Sequence, residues 1–470
     1  MNQAELVRDL QRIMGRERVL SRDTDLLAYS YDASFVAQLK PYPPDVVVRP
    51  TRTEEVRAVI DFANRHRVPV VPRGAGSNMC GSALPVRGGI VMDLSGMNRI
   101  LELDLSNLQV VVEPGVVHAD LKDRLAGEGF FFPPDPGSSR MCTLGGMVAN
   151  NSSGMRSVKY GTTRNYVLGL EVVLPTGEVV VTGGRSSKAL KSVSGYDLTQ
   201  LLVGSEGTLG VITRIRLKVL PLPEARAVVM AAFDTLDKAG MAVQEVLRNR
   251  ILPAAAEILD RFSIEAALRY CPGLRLPAAE AVLLLEVDGP RAAVAEEAQR
   301  VKDACEPLAF QVEWSDDLAE MERLWEARQV TGAAAARLGP ELCRVNDGED
   351  ICVPVSRLPE ALRRIQALAE KHGLPILTFG HIGEGNVHAS VLADLLDPRE
   401  TDKARAATED IHRLALELEG STTGEHGVGL SRAPYMELEH GPALAVMRKI
   451  KRVLDPNHIL NPGKMSLDDG

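Results

Sequence analysis

The chain has 470 residues, of which 45% are hydrophobic and 25% charged. That is too long for one hydrophobic core, and too apolar for a largely disordered or collagen-like chain. The net charge of -9 gives no electrostatic reason to bind a polyanion, so nucleic acid is not an expected partner.

The six cysteines, Cys80, Cys142, Cys271, Cys305, Cys343 and Cys352, form no C-x-x-C pair. They read as buried free thiols of a cytoplasmic protein, with no iron-sulfur or zinc spacing. The first residues, MNQAELVRDLQRIMG, are polar throughout and predict an amphipathic helix rather than a secretory signal. No window approaches about 20 apolar residues, so no transmembrane helix is expected.

From Pro44 onward, short β-branched runs (VVVRP, VPVVPRG, GGIVMDL, LQVVVEP, LGLEVVL, VITRIRLKVL) alternate with Gly, Pro and Asn punctuation. One helix, Thr53 to His66, interrupts them, with Thr51 and Thr53 as candidate N-caps and Glu54 and Glu55 in its first turn. The expected fold class is α+β: a helical segment over 1–44, a glycine-loop domain over 45–221, and Pro221, Leu222 and Pro223 as linker. Residues 222–418 predict a second, α/β domain, with helices Asp237 to Asn249, Arg291 to Ala304 and Asp317 to Ala336 among strands such as AVLLLEVDG and EDICVPV. Residues 419–470 predict a C-terminal segment with a helix through Ala443 to Leu454.

PRGAGSNMCGSALP, residues 72–85, follows a strand as a dinucleotide fingerprint would, yet Met79 stands where that pattern needs Gly or Ala, and Pro85 breaks any long helix. A glycine turn can instead aim backbone N–H groups at one point, an anion nest suited to a pyrophosphate. A second stretch, PPDPGSSRMCTLGGMVANNSSG at 133–154, is rich in small and polar residues and poorly suited to a core, but it admits a flat ligand and offers it hydrogen bonds. A third loop, GSEGTLG at 204–210, precedes a strand.

LTFGHIGEGNVHASVL, residues 377–392, reads as two strands around a glycine turn. With Glu384 and Gly385 as a two-residue turn, His381 faces His388 directly, close enough for both imidazoles to hold one ion. In STTGEHGVG, Glu425 and His426 are adjacent and point opposite ways if extended, so one could bind metal while its neighbour faces substrate. Only nine histidines exist in the chain, which makes the clustering suggestive.

The order PRGAGSN, PDPGS, GGMVANNSSG, GSEGTLGVIT, and then HIGEGNVH and GEHG, resembles the vanillyl-alcohol oxidase superfamily. Within it the resemblance is to the branch that holds the flavin-binding chain of glycolate oxidase, D-lactate dehydrogenase and D-2-hydroxyglutarate dehydrogenase. It covers nearly the whole chain and implies an FAD-binding domain of that superfamily's type, a cap domain over the substrate, and a C-terminal segment that completes the active site. By the same resemblance, Arg73, Gly74, Ala75, Gly76 and Ser77 would hold the FAD pyrophosphate, and Asn78 and Gly81 would also bind the cofactor. Pro134, Asp135, Gly137, Ser138, Gly145, Gly146, Ala149, Asn150 and Asn151 would surround the ribityl and isoalloxazine portions, with Ser153 also binding the cofactor. Glu206, Gly210 and Ile212 would lie near the adenosine, and Asn461 of the terminal NPGK near the flavin. Covalent members carry a histidine where this chain has Ser77, which implies noncovalent FAD.

The resemblance further implies metal ligands His381, His388 and Glu425, with His426 as base and Arg328 as the cation for a substrate carboxylate; Zn, Mn or Fe suits such ligands. The expected reaction is oxidation of a small D-2-hydroxy acid to the 2-oxo acid. No lysine precedes EDICVP as in the hydroxyglutarate enzymes, which favours glycolate or D-lactate over an acid with a second carboxylate. The alternatives are a nonredox flavoenzyme of the alkylglycerone phosphate synthase type and a noncatalytic flavin-binding subunit of an oxidase complex. An electron acceptor or partner redox subunits are expected, as is cytoplasmic location with peripheral attachment at the inner membrane through such partners, and a homodimer is one expected assembly.

Overall fold

Valine runs such as Val46–Val48 are buried along their whole length, the pattern of strands covered on both faces. In the computed structural model, which describes residues 2–468, they form a four-stranded sheet of β1 (Val19–Leu20), β2 (Val46–Val48), β3 (Val70–Arg73) and β4 (Ile90–Asp93). Its order is β1-β2-β4-β3, and only the β1–β2 pair is antiparallel. The parallel step from β2 to β3 needs a crossover, supplied by the helix Thr53–His66. That helix buries Val56, Val59, Ile60 and Ala63 at helical spacing in the same cluster as Leu6, Leu10 and Met14 of the N-terminal helix Gln3–Met14. The expected threonine N-cap is absent: Arg52 occupies the cap, and the buried Glu55 carboxylate accepts the Thr51 amide at 3.0 Å instead.

The next strands, β5 (Ile100–Asp104) and β6 (Gln109–Val112), join β8 (Val167–Val173), β9 (Val179–Val181) and β10 (Val211–Lys218) in an antiparallel sheet of order β5-β6-β10-β8-β9. Between them β7 (Phe130–Phe131) pairs with β11 (Leu220–Pro221), so the expected linker begins inside a short strand. The second glycine-rich stretch does contribute to the interior. Its residues Leu144–Asn150 form a helix capped by Thr143, with Leu144, Met147 and Val148 buried. Gly145 is needed there because a Cβ would come within 2.6 Å of Pro114. The tail also returns: Leu460 bridges Val70, and Asn461 donates its amide to the Val70 carbonyl at 2.8 Å.

These elements make one compact unit, Met1–Ser153, Thr162–Leu222 and Glu425–Gly470; Gly154–Gly161 and Pro223–Gly424 make a second. The second unit is built on one antiparallel sheet. Its strands are β12 (Ala225–Phe233), β13 (Ala255–Asp260), β14 (Ala281–Gly289), β15 (Gln311–Ser315), β16 (Cys343–Val345), β17 (Glu349–Cys352), β18 (Ile376–Gly380) and β19 (Asn386–Ala393), in the order β15-β12-β14-β13-β18-β19-β16, with β17 also paired to β19. The helices Leu236–Arg248, Arg291–Cys305 and Leu318–Ala334 lie within two residues of the ends read from sequence. EDICVPV supplies a strand only as far as Cys352, because Pro354 cannot continue a ladder.

One face of this sheet packs Leu259, Leu284, Leu377, Phe379 and Leu392 against Ile264, Met321, Leu324 and Trp325 of the helices Arg261–Tyr270 and Leu318–Ala334. Strand alternation puts Glu257, Glu286, Asp288 and His388 on that same face, all buried. Glu286 accepts Trp325 Nε1 at 2.9 Å and lies 2.7 Å from Arg156 Nη2, while Asp288 takes Lys159 Nζ at 2.6 Å and the Tyr160 hydroxyl. Residues 154–161 therefore belong to this unit through buried ion pairs.

Asp260 ends β13 and caps the following helix, accepting the amides of Ser263 at 2.7 Å and Thr378 at 2.8 Å. Burial pushes its carboxyl up to about 6. The folded chain then holds more protons than the unfolded one between about pH 4 and 6, so this group's contribution falls by roughly 3 kcal/mol as pH rises through that window. Asp260→Asn cannot ionise. Its Tm relative to wild type should rise by several degrees from pH 4 to 6 and stay level above 7, and thermal scans showing a flat difference throughout would refute this linkage.

Candidate active-site residues

In the second unit the two histidines of HIGEGNVH meet, but not in the register expected. Phe379, not His381, is the Cα partner of His388. The connection is a 3-10 turn over Ile382–Glu384 closed by Gly385 in the left-handed region, longer than the two-residue turn that the spacing suggested. Gly385 is obligatory on two counts: its φ is +89°, and a Cβ would lie 1.8 Å from the Val353 carbonyl oxygen. His381 swings back over the strand end, and the two imidazole rings stand edge to face with centroids 5.2 Å apart. Both side chains are buried.

His381 is oriented from behind. Its Nδ1 lies 2.6 Å from Glu257 Oε1, and Glu257 Oε2 accepts Nε of Arg328 at 2.5 Å. The carboxylate is an acceptor only, so it takes the Nδ1 proton and leaves the ligating lone pair on Nε2. The two terminal nitrogens of Arg328 make no hydrogen bond to any described residue. Its guanidinium carbon sits 5.0 Å from the centre of the Phe379 ring, whose centre lies 5.1 Å from that of His388. Arg344 shares the same ring at 5.4 Å but is committed to Glu349 and donates to Ser390 Oγ at 3.1 Å.

Asp350, buried with φ +100°, closes this unit: it accepts Asn386 Nδ2 at 2.9 Å, the Thr423 hydroxyl at 2.6 Å and the Gly424 amide at 3.1 Å. The chain passes directly from Gly424 to Glu425 and His426, which belong to the first unit.

In the first unit the cofactor-loop residues converge on His426. Its carbonyl oxygen accepts Asn78 Nδ2 and Asn150 Nδ2, each at 3.1 Å, and Ser153 Oγ donates to Glu425 Oε2 at 2.9 Å. The Glu206 carboxylate accepts the Val428 amide at 2.6 Å, the Gly429 amide at 2.9 Å and the Ser82 hydroxyl. Asn461 Nδ2 donates to the carbonyls of Ser82 and Glu206. Burial drives the Glu206 carboxyl above its ordinary range while the Ser82 and amide donors pull it back; burial also pushes the nearby Lys464 amine down to about 8. Gly74 lies against Thr143, where a Cβ would come 2.2 Å from its hydroxyl, so the first and second loops touch. Gly81 and Gly210 likewise leave room for Leu430 and Val172, and Ile212 is buried in β10.

The first loop fits a phosphate-bearing cofactor on its own evidence. Among the described residues the amides of Gly74, Ala75, Gly76 and Ser77 donate to nothing, and neither does the buried Nη1 of Arg73. Unpaired backbone donors in a glycine turn suit a pyrophosphate. In the second loop Gly137 is exposed, and a Cβ there would meet nothing within 4 Å.

Residues 44–183 match the FAD binding domain, and residues 222–465 match the FAD linked oxidases C-terminal domain. The chain belongs to the FAD-linked oxidase family. It is 39% identical to the glycolate oxidase subunit GlcD of Bacillus subtilis (strain 168), across 98% of this chain and 96% of the relative. It is 35% identical to a probable mitochondrial D-lactate dehydrogenase of Danio rerio, across 90% of this chain and 84% of the relative. Among solved structures, 4-ethylphenol oxidase from Gulosibacter chungangensis superposes with a TM-score of 0.81 at 21% identity, covering 98% of this chain and 96% of that one. The fold is that of vanillyl-alcohol oxidase, and the chain is an FAD-dependent oxidoreductase.

Sequence reasoning missed Glu257, Phe379, Arg344 and Asp350. Glu257 had one available signal: a lone carboxylate inside the apolar run AAAEIL needs a buried partner. Glu206, Asn78, Asn150 and Asn461, expected to touch cofactor, direct their side chains at the protein backbone. Glu206→Gln keeps the shape but sets an NH2 against an amide or hydroxyl donor. It should cost about 1–3 kcal/mol, lower the Tm and hasten flavin release on dilution; an unchanged melting curve and unchanged flavin retention would contradict the clamp.

Proposed function

We propose that the chain oxidises a small D-2-hydroxy acid, glycolate or D-lactate, to the 2-oxo acid, using noncovalent FAD and a divalent metal. The observation that carries this reading is the pair of buried imidazoles 5.2 Å apart beside Arg328, whose terminal nitrogens have no protein partner. Two facing imidazoles suit a borderline cation, and a guanidinium fork suits a carboxylate. The names of the relatives, a glycolate oxidase component and a D-lactate dehydrogenase, support the same substrate class.

His381 and His388 would hold the metal with Glu425, and Zn, Mn or Fe suits that donor set. When bound, FAD supplies the two-electron acceptor, and the metal supplies Lewis acidity that eases loss of the hydroxyl proton. The protein's part is positioning and proton transfer. Arg328 grips the substrate carboxylate, His426 takes the hydroxyl proton, and the amides of Gly74 to Ser77 hold the cofactor phosphates. Ser77 in place of a histidine leaves no covalent tether in that loop. Arg344 spends both its Nε and one terminal nitrogen on Glu349 and Ser390, whereas Arg328 spends only Nε on Glu257, so among the described residues beside Phe379 only Arg328 offers a full terminal fork, which favours an acid with one carboxylate.

Reduced flavin must pass its electrons on, and a partner redox subunit or soluble acceptor serves that need. Among the described residues no helix is long and apolar enough to cross a membrane, so membrane contact would be peripheral.

Anaerobic titration with glycolate, D-lactate and D-2-hydroxyglutarate should bleach the oxidised-flavin band with the first two acids most readily. Metal removal or His426→Ala should slow that bleaching by roughly 10²–10⁴-fold. Bound FAD that none of the three acids reduces would overturn the proposal.

A further inference from the structure

The most unusual charge in the second unit is Glu257. It sits in the middle of β13 with no solvent exposure, flanked along the strand by alanine, isoleucine and leucine. An ionised carboxylate in such a place is costly unless every oxygen is used. Both are used, by different partners: Oε1 faces His381 Nδ1 at 2.6 Å and Oε2 faces Arg328 Nε at 2.5 Å.

Each of those contacts constrains a group with work to do elsewhere. The His381 contact fixes ring orientation and tautomer, as carboxylates behind metal-binding imidazoles do. The Arg328 contact takes the Nε edge of the guanidinium and leaves the two terminal nitrogens as a fork, while the Phe379 ring 5.0 Å from the guanidinium carbon limits its swing. Phe379 in turn lies against His388, with ring centres 5.1 Å apart. A single carboxylate thus braces a metal-binding imidazole on one side and a carboxylate-binding guanidinium on the other, at the base of one hairpin.

We infer that Glu257 is a positioning residue shared by the metal and the substrate carboxylate, setting His381 and Arg328 in register with each other. This rests on the hydroxy-acid reading above. It predicts that damage at one position weakens both metal binding and substrate binding, whereas damage at either partner weakens mainly one.

The test uses the flavin-loaded full chain stripped of metal, titrated with Mn²⁺ while the free-ion EPR signal is followed, together with KM and kcat for glycolate and D-lactate. Glu257→Gln should bind Mn²⁺ about 10–100-fold more weakly and raise KM, while Glu257→Asp, which keeps the charge, should recover part of both. Arg328→Lys should raise KM with Mn²⁺ affinity within about twofold of wild type, and His381→Ala should abolish tight Mn²⁺ binding. Near-UV circular dichroism and Tm establish that each variant is folded, and a Glu257→Gln that fails to fold passes the decision to Glu257→Asp, whose shortened reach should itself weaken both affinities relative to wild type. Wild-type protein that binds no Mn²⁺ would sink the metal reading itself. Wild-type binding with unchanged Mn²⁺ affinity in folded Glu257→Gln would sink only the shared role of Glu257.

Discussion

Backbone donors and acceptors in glycine loops have no helix or ladder to satisfy them, and the first unit depends on how it meets that demand. Its answer is Glu206. One buried carboxylate accepts two consecutive amides after His426 and the hydroxyl of Ser82, and its own backbone carbonyl accepts from Asn461. Four sequence segments far apart in the chain are thereby fixed to one another: the first glycine loop, GSEG, the GEHGVG turn and the terminal NPGK. Among the described residues the amides of Gly74 to Ser77 in the first loop have no hydrogen-bond partner in the protein. A loop system that satisfied every group internally would have nothing to offer a pyrophosphate.

The second unit solves the opposite problem. Its sheet is apolar on nearly every strand, and the polar groups on one face, Glu257, Glu286, Asp288 and His388, must be matched inside the core. Each carboxylate is matched by a cation or aromatic donor drawn from outside the sheet: Arg328 and Trp325 from the helix Leu318–Ala334, Arg156 and Lys159 from residues 154–161. Such pairs add little net stability compared with an apolar core, but removing one partner strands a buried charge. Their cost makes sense where orientation is what matters.

Much of this was legible from the residues. The β-branched runs, the helix at 53–66, the long helices of the second half and the glycine loops all follow from local rules that the chain obeys. What was not legible depended on partners distant in sequence. The register of the histidine hairpin turned on Gly385 packing against the Val353 carbonyl, which lies 32 positions away, so the shortest turn compatible with the spacing gave the wrong partner for His388. The helix at 144–150 was hidden because its small residues looked unfit for a core, whereas Gly145 is small so that the helix can approach Pro114. Glu206 and the three asparagines, assigned to the cofactor by the family resemblance, also hydrogen-bond the backbone of segments distant in sequence, a second role that composition does not reveal.

The assignment of residues 154–161 to the second unit bears on how this architecture can be recombined. Eight residues, bracketed on both sides by segments of the first unit, supply Arg156, Lys159 and Tyr160 to Glu286 and Asp288. A chimaera that exchanged only the contiguous stretch after Pro223 would receive foreign side chains at those three positions and leave two buried carboxylates to whatever the host chain happened to carry. The second unit is therefore not a cassette: variation in its sheet must be matched by variation in a short segment more than sixty residues upstream, and domain shuffling would have to carry both pieces together.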